Sequence, residues 1–205
     1  MPILHTAPDP APNPRRVRIY LAEKGLNVPV QSHSIVAGEH KAPGYVAKYP
    51  PGQVPVLELD DGRMIGESIA ICHYFEALHP DPPLFGTDPV SVAEVEMWTR
   101  RVEFTLMTPI AMVWRHVHPF TARVVKPQYT EFGESNRPHA AAAMRHFDRQ
   151  LSRNSFLAGE IYSIADIILL TTIDFATFIG APMPDDVPAL ADWHARVSAR
   201  PSASA

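Results

Sequence analysis

The sequence contains very little cysteine: Cys72 is the only one among 205 residues. A single thiol excludes an internal disulfide framework and a zinc site built from cysteines, and it fits a reducing compartment. Long runs of Lys and Arg are also missing, and the formal net charge is -4. Nucleic acids and anionic lipids bind basic surfaces. We therefore expect neither nucleic acid nor a membrane as a partner.

Long apolar runs are missing as well. No stretch approaches the length of a membrane span, and the first 14 residues lack the basic and then apolar order of a signal peptide. We expect a cytoplasmic protein. Proline, in contrast, is plentiful, with 22 residues, which is about twice its usual share. The hydrophobic fraction of 46% and the charged fraction of 20% are typical of a globular chain with a sizeable core.

The first part of the chain alternates strands with helices. Residues 3–5 predict a strand, and the proline-rich residues 6–14 predict a loop without regular structure. Apolar residues at helical spacing predict a helix from Arg15 that stops at Gly25. A second strand is expected around residues 28–32, and a polar connection follows over residues 37–48.

A hairpin and a second helix complete this part. Residues 54–59 predict a strand, and Asp61-Gly62 is a strong two-residue hairpin signal. Ser68 is suited to cap an apolar helix that ends at His79. We expect an α/β domain over residues 1–80, a stiff proline-rich linker over 81–87 and a domain over 88–205.

The second domain shows only helical patterns. A long helix is expected from Val90, with a kink or an end at Pro109. Ser163 and Asp166 form a capping-box pattern that opens the strongly apolar residues 164–178. Two further helices are marked by Met144, Phe147 and Leu151, and by Leu190, Trp193 and Val197. The second domain is therefore predicted to be all-helical.

Val54-Pro55 is an unusual pair, because a proline inside a strand removes one hydrogen bond of the ladder. A cis peptide bond explains it, since it leaves the N–H and C=O of Val54 free for an extended peptide ligand. The alternative is an ordinary proline on an edge strand.

Glu67-Ser68 stands where a strand meets a helix N-terminus. The Ser68 hydroxyl and the first N–H groups are suited to a carboxylate, with Glu67 beside them for an ammonium. Together these groups match the head of an amino acid, and the alternative is a simple helix cap. His40, Lys41 and Gln53 offer donors for a second carboxylate, although any solvated loop carries such residues.

Asn13 lies at the end of the proline-rich loop, just before the first helix. Its side-chain amide and the helix N-terminus are suited to stabilise an anion such as a thiolate, whose thiol ordinarily has a pKa of about 8.5. The alternative is that Asn13 caps the helix.

Other residues have simpler interpretations. Cys72 lies in an apolar helix, where a thiol is usually inert. His5, His116 and His118 show no ligand spacing, so no metal site is expected. Several apolar side chains of the second domain are candidates for a pocket, although such a stripe is more often core: Trp98, Phe104, Met107, Met112 and Trp114.

Three segments together resemble the soluble glutathione S-transferases. They are PNPRRVRIYLAEKGL (residues 12–26), PPGQVPVLELDDGRMIGESIAICHYFEALHP (residues 50–80) and FLAGEIYSIADIILL (residues 156–170). The resemblance extends from Ile3 to about Pro201, and the middle segment is its most specific part. It implies a thioredoxin-like N-terminal domain, a C-terminal helical bundle, glutathione as co-substrate without a metal, and a homodimer.

The resemblance also implies roles for single residues. Val54, before a cis Pro55, pairs with the cysteinyl backbone of glutathione, and Glu67 with Ser68 holds the γ-glutamyl head. His40 and Gln53 fall where the family contacts the glycyl end.

At the catalytic position the chain departs from the family pattern. Many members carry Ser or Cys directly before the loop proline, where this chain has Ala11. Bacterial members similar to fungal nitrogen-regulation proteins have Asn directly after that proline, and Asn13 matches it. We therefore expect Asn13 to stabilise the thiolate, with Thr6 as the reserve.

The expected reaction is attack of the glutathione thiolate on an electrophile held near Phe104, Met112 and Trp114. Reduction of disulfides or peroxides is a close variant, because the same thiolate attacks sulfur or oxygen. The alternative function is a binding module without turnover, since the fold also serves in translation-factor proteins, and Ala11 is consistent with it.

Overall fold

The computed structural model describes all 205 residues, Met1–Ala205, and the chain divides into two compact units. The first unit comprises Met1–Leu84 together with Pro201–Ala205, and the second comprises Phe85–Arg200. The division falls inside the predicted linker, residues 81–87. Assigning all of residues 88–205 to the second domain is wrong for the last five, since these group with the first unit.

A four-stranded mixed sheet forms the centre of the first unit. Its strands are β1 (Ile3–Thr6), β2 (Val30–Ser32), β3 (Val56–Glu58) and β4 (Met64–Gly66), in the order β2-β1-β3-β4. Strand β1 pairs in parallel with β2, and β3 is antiparallel to both of its neighbours. The predicted strands and the hairpin are confirmed. Strand β3 is shorter than expected, because Pro55 has no N–H for the ladder and pairing begins at Val56.

Three helices accompany the sheet: α1 (Pro12–Glu23), α2 (Pro43–Lys48) and α3 (Ser68–Leu78). Helix α1 begins before Arg15, where the sequence analysis began it, because prolines are tolerated in the first turn, whose N–H groups have no partner within the helix. It ends as predicted at Gly25, which has a φ of 64°. Helix α2 lies inside the segment predicted as a connection, and it is anchored by the buried side chain of Tyr45.

A buried ion pair joins α1 to the end of α3. The side chain of Lys24 is fully buried, and its Nζ lies 2.6 Å from Oε2 of Glu76. The same ammonium donates to the carbonyls of His79 and Pro82, and Glu76 also accepts from the N–H of Leu84. The end of α3 and the following proline-rich segment are therefore fastened to α1 by charge-assisted hydrogen bonds.

The second unit is built from helices. They are α4 (Pro89–Arg101), α5 (Thr108–His116), α6 (Thr130–Ser135), α7 (Arg137–Leu151), α8 (Ile164–Phe178) and α9 (Pro188–Ser198), with a π-helical segment at Val102–Met107 and a 3-10 segment at Pro119–Arg123. The predicted all-helical domain is confirmed. None of the helices of the chain is both long enough and apolar enough to span a membrane.

The expected kink or end at Pro109 takes the form of the π-helical segment that precedes it. Proline clashes with the carbonyl four residues earlier in a regular helix, and the wider π turn avoids that geometry. Both the N–H and the hydroxyl of Thr108 donate to the carbonyl of Glu103, five residues earlier. The α-helix then resumes with Pro109 in its first turn.

Helix α8 is the core of the second unit, since nearly all of its residues are buried. The predicted capping box is present: the carboxylate of Asp166 accepts from both the N–H and the hydroxyl of Ser163. The carboxylate also accepts from the indole of Trp193 and from the N–H of Leu157, each at 3.0 Å. A single buried acid thus joins α8, α9 and the preceding loop.

Candidate functional site

The first component of the site is the backbone of Val54, at the entrance to β3. The Val54–Pro55 peptide bond is cis, as the sequence analysis expected. Neither the N–H nor the C=O of Val54 is paired with another group of the chain. Val54 is half-buried, so the two backbone groups are available to an extended peptide, as an unpaired strand edge is.

The register of the hairpin brings the start of α3 to the same place. Val56 of β3 pairs with Gly66 of β4. If the register is continued by two residues, Ser68 comes opposite Val54. The hairpin register therefore directs Glu67 and Ser68 toward the free backbone of Val54.

The N-terminus of α3 is uncapped. Glu67 occupies the N-cap position, but its side chain makes no capping hydrogen bond, and the first intrahelical bond runs from the N–H of Ile71 to the carbonyl of Glu67. The prediction that Ser68 caps the helix is wrong, because Ser68 is the first residue of the helix itself. Ser68 is 6% exposed, and its hydroxyl is not hydrogen-bonded to the chain. Three N–H groups, a hydroxyl and the helix dipole thus converge on a place suited to a carboxylate.

Glu67 has an unusual backbone conformation. Its φ is 63°, and it is the only non-glycine residue of the chain with a positive φ. Such a conformation costs about 1–3 kcal/mol and persists at ligand sites where the surroundings impose it. The exposed carboxylate of Glu67 is suited to an ammonium group next to the carboxylate position.

Tyr49 supports the backbone next to Glu67, and this role was not predicted from the sequence. A Cβ added to Gly66 would lie 2.0 Å from the Tyr49 hydroxyl, so a larger residue there would require the phenol to move. Burial and the nearby Glu67 carboxylate raise the pKa of Tyr49. The phenol therefore lies against β4 close to Glu67. The contact joins residues of different elements, and no local pattern announces it.

His40 and Gln53 are brought close together in a second corner. A Cβ added to Gly52 would lie 3.0 Å from the carbonyl oxygen of His40, and Lys41 donates to the carbonyl of Pro51 at 3.0 Å. The exposed Gln53 is held through its carbonyl, which accepts from the hydroxyl of Tyr45 at 2.6 Å.

The imidazole of His40 is suited to an additional polar contact. Its Nδ1 is buried and has no hydrogen-bond partner. Burial and the neighbouring Lys41 lower the pKa of His40, so the ring is neutral at neutral pH.

A buried pair of histidines supports the region around His40 and Gln53. Nδ1 of His5 lies 2.9 Å from Nε2 of His33, and Nε2 of His5 lies 2.9 Å from the carboxylate of Glu58. The ring of Tyr45 packs against His33 with centroids 4.7 Å apart. Hydrogen bonds from Lys48 and His5 lower the pKa of Glu58. His5 is thus a buried link between the sheet and Tyr45 of α2.

Asn13 lies in the first turn of α1 and is exposed. It does not cap the helix: the N-cap is Ala11, which has no side-chain bond to offer. Because Pro12 and Pro14 have no N–H, Asn13 supplies the only backbone donor of the first three positions. Thr6 is 4% exposed, and its hydroxyl oxygen accepts from Arg18. Asn13 is therefore the more accessible of the two candidates.

Cys72 is fully buried in α3, and burial raises the pKa of its thiol. A buried, protonated thiol is a poor nucleophile. No group of three or more His, Cys, Asp or Glu side chains is placed to hold a metal ion.

The structure places the three residues proposed for the second substrate in different surroundings. Phe104, in the π-helical segment, is 67% exposed and lines a groove of about 520 Å³ next to α7. Trp114 instead packs among aromatic rings of α8 and the 3-10 segment, and Met112 is half-buried on α5. The groove includes neither Met112 nor Trp114. The three residues were predicted to share one pocket, and the structure does not bring them into this one.

Comparison with known proteins identifies relatives over nearly the whole chain. The family models "Glutathione S-transferase, N-terminal domain" and "Glutathione S-transferase, C-terminal domain" match residues 4–83 and 113–201. Glutathione S-transferase 2 of Saccharomyces cerevisiae is 38% identical over 194 residues, which cover 93% of this chain and 83% of the relative.

Solved structures agree with these sequence matches. The crystal structure of Gtt2 from Saccharomyces cerevisiae superposes with a TM-score of 0.90 at 36% identity, over 98% of both chains. A glutathione S-transferase domain-containing protein of Marinobacter aquaeolei superposes with a TM-score of 0.91 at 34% identity, again over 98% of both chains.

Proposed function

The chain belongs to the glutathione S-transferase family, and we propose that it is a glutathione transferase that activates glutathione as a thiolate and transfers it to a small apolar electrophile. The observation that carries this proposal is the free backbone of Val54 beside the uncapped N-terminus of α3. One group pairs with a peptide backbone, and the other receives the carboxylate of an amino-acid head.

We propose that glutathione lies across these groups in an extended conformation. The N–H and C=O of Val54 pair with the cysteinyl unit. The first turn of α3 and the Ser68 hydroxyl bind the γ-glutamyl carboxylate, and Glu67 binds its ammonium. His40 and Gln53 hold the glycyl end. The tripeptide is thereby fixed at both ends, which positions its thiol.

The thiolate is stabilised by the start of α1. Asn13 offers its backbone N–H and its side-chain amide, and the helix dipole adds a positive potential. The thiolate then attacks the electrophile: a carbon–sulfur bond forms, and a leaving group departs with the electron pair or a proton is taken up. Disulfide or peroxide reduction uses the same thiolate on sulfur or oxygen, and an electrophile panel separates these reactions.

The second substrate, the assembly and the location belong to the same proposal. Trp114 lies among Phe120, Phe175 and Phe178, a cluster suited to a planar apolar group, and Phe104 offers a second apolar surface.

We propose a cytoplasmic homodimer. The alternative of a binding module without turnover is not favoured, because the 38% identical relative is a glutathione S-transferase.

The test is an ultraviolet titration of glutathione bound to the parent protein and to Asn13→Ala. We expect the parent to lower the thiol pKa by at least about one unit and Asn13→Ala to lose most of that shift, which corresponds to about 1.4 kcal/mol per unit. Asn27→Ala, an exposed change beyond the other end of α1, is the control and should titrate as the parent does.

Two other results would change the assignment. If bound glutathione titrates as in water in the parent, the chain binds glutathione without activating it. If the parent lowers the pKa and Asn13→Ala retains the shift, another group stabilises the thiolate.

A further inference from the structure

The guanidinium of Arg18 connects two segments that are far apart in sequence. Its Nη1 donates to the carbonyl of Ala7 at 2.6 Å and to the hydroxyl of Thr6 at 3.3 Å, and its Nη2 donates to the carboxylate of Asp9 at 2.5 Å. On its other side, Nε donates to the carbonyl of Ala205 at 3.1 Å. The planar fork of arginine suits such simultaneous contacts, which lysine cannot reproduce.

The segment Pro201–Ala205 is fixed along α1 by further contacts. Arg15 donates through Nη2 to the carbonyl of Ala203 at 3.0 Å, and the hydroxyl of Ser202 donates to the carboxylate of Glu23. Ser202 and Ala203 are buried. The segment that accepts from Arg18 is therefore itself fastened to α1 at Ser202 and Ala203.

The loop that Arg18 holds leads directly into the proposed thiolate site. The loop from Thr6 to Ala11 ends at the N-cap of α1, and Ala11 has no side chain that fixes the start of the helix. Helix starts are normally fixed by such caps. Arg18, one and a half turns into the helix, points back toward the N-terminus as long helical side chains do and replaces the missing cap with contacts to the loop.

Arg18 also pairs with the one carboxylate of this loop. Asp9 lies four residues before Asn13, and its side chain is 59% exposed. An unpaired carboxylate near a helix N-terminus competes with another anion for the same positive potential, and like charges disfavour each other's charged form. Arg18, whose Nη2 lies 2.5 Å from the Asp9 carboxylate, limits that effect, and Nε of Arg15 adds a longer contact at 3.9 Å.

We propose that Arg18 is a positioning residue for the glutathione thiolate: it fixes the loop before α1 against the segment Pro201–Ala205 and neutralises Asp9. This inference rests on the proposed function. Arg18 acts through the loop and through Asp9, to which its guanidinium is bonded.

The test compares the parent with Arg18→Gln and Arg18→Lys. In Arg18→Gln we expect the thiol of bound glutathione to titrate at higher pH. The fall in kcat/KM should be about tenfold near pH 6.5 and much less above the pKa of the free thiol, near pH 9. KM for glutathione should stay within about twofold, because the contacts at α3 are untouched. Arg18→Lys keeps the charge but not the planar fork. It should shift the titration of the thiol in the same direction by a smaller amount.

A second substitution separates positioning from simple loss of stability. Adding Asp9→Asn to Arg18→Gln should recover part of the shift in the pH profile, because it removes a carboxylate that has lost its close partner Arg18 and keeps only the 3.9 Å contact with Nε of Arg15. The control is Arg63→Gln, which removes an exposed Arg–Asp pair with Asp61 in the hairpin and should leave the profile unchanged.

The outcomes that overturn the inference are distinct from failure of the proposed function. A parent that lowers the thiol pKa, with an unchanged pH profile in Arg18→Gln, overturns the inference alone. If Arg18→Gln does not fold, an unchanged pH profile in Arg18→Lys overturns the inference alone. A parent that leaves the thiol pKa at its value in water overturns the proposed function, and the inference with it.

Discussion

Helices α3 and α8 both begin beside a serine, and the two N-termini are used in opposite ways. At α8 the Ser163–Asp166 pair is buried, and the carboxylate of Asp166 accepts four hydrogen bonds from groups of the chain. At α3 no side chain caps the helix, and the hydroxyl of Ser68 has no partner.

The two helix starts separate a contribution to stability from a contribution to binding. Donors at a helix start need an acceptor. The acceptor at α8 comes from the helix itself, so its N-terminus contributes to folding. At α3 the chain leaves the donors open and holds Glu67 at a positive φ beside them, and we propose that glutathione supplies the acceptor.

Loss of Asp166 should have the largest effect. Asp166→Ala leaves the indole of Trp193 and the N–H groups of Leu157 and Ser163 buried without an acceptor, so we expect the free energy of unfolding to fall by at least about 3 kcal/mol. Urea denaturation measures this loss. Asp166→Asn, which keeps the shape and one acceptor, should lose less, and equal losses would contradict the role of the hydrogen bonds.

The same acid should make the stability of the fold depend on pH. Burial raises the pKa of Asp166 to about 6 from the ordinary 3.8. Between these values the folded state binds more protons than the unfolded state, so this group lowers stability as the pH rises from about 4 to about 6. The stability of the parent relative to Asp166→Asn should therefore decline over this range and level off above it. Urea denaturation at several pH values measures it, and a rising difference would show the opposite shift.

The two serines should respond oppositely to the same substitution. Ser68→Ala removes a hydrogen bond to a charged ligand group, so we expect glutathione affinity to fall about tenfold with stability changed by less than about 0.5 kcal/mol. Ser163→Ala should lower stability by about 1 kcal/mol with affinity unchanged. Calorimetric titration measures the glutathione affinity of both variants, and urea denaturation measures their stability. A loss of affinity in Ser163→Ala would contradict the assignment of Ser163 to stability alone.

Glu67→Gly should change stability modestly, and with a favourable sign. Glycine adopts a positive φ without strain, so we expect a gain of about 0.5–1 kcal/mol in the free energy of unfolding, together with weaker glutathione binding. Glu67→Gln keeps the backbone strain and removes only the charge. It should therefore weaken glutathione binding without a gain in stability. A loss of stability in Glu67→Gly would mean that its side chain supports the fold.

Local signals account for what the sequence predicted well. The capping box and the apolar run of α8, the glycine after α1 and the Asp61-Gly62 hairpin are encoded within a few residues, and all are confirmed. Val54, Glu67 and Ser68 were identified because a proline in a strand and a serine after a strand are visible in sequence.

The remainder depends on contacts between distant residues. The pair of His5 and His33, the fit of Tyr49 over Gly66 and the four contacts of Arg18 join different elements, and no spacing along the chain indicates them. The surroundings of the second-substrate candidates were hidden for a related reason: Phe104, in the π segment, lines the groove next to α7, whereas Trp114 of α5 packs against Phe175 of α8.

The most direct test of the central claim compares the binding of glutathione and of cysteinylglycine to the parent protein by calorimetric titration. The dipeptide keeps the groups that pair with Val54 and lacks the γ-glutamyl head. If the uncapped N-terminus of α3 binds that head, cysteinylglycine should bind at least about tenfold more weakly, which is about 1.4 kcal/mol. Equal affinities would contradict the account, because the N-terminus of α3 would then contribute nothing to recognition.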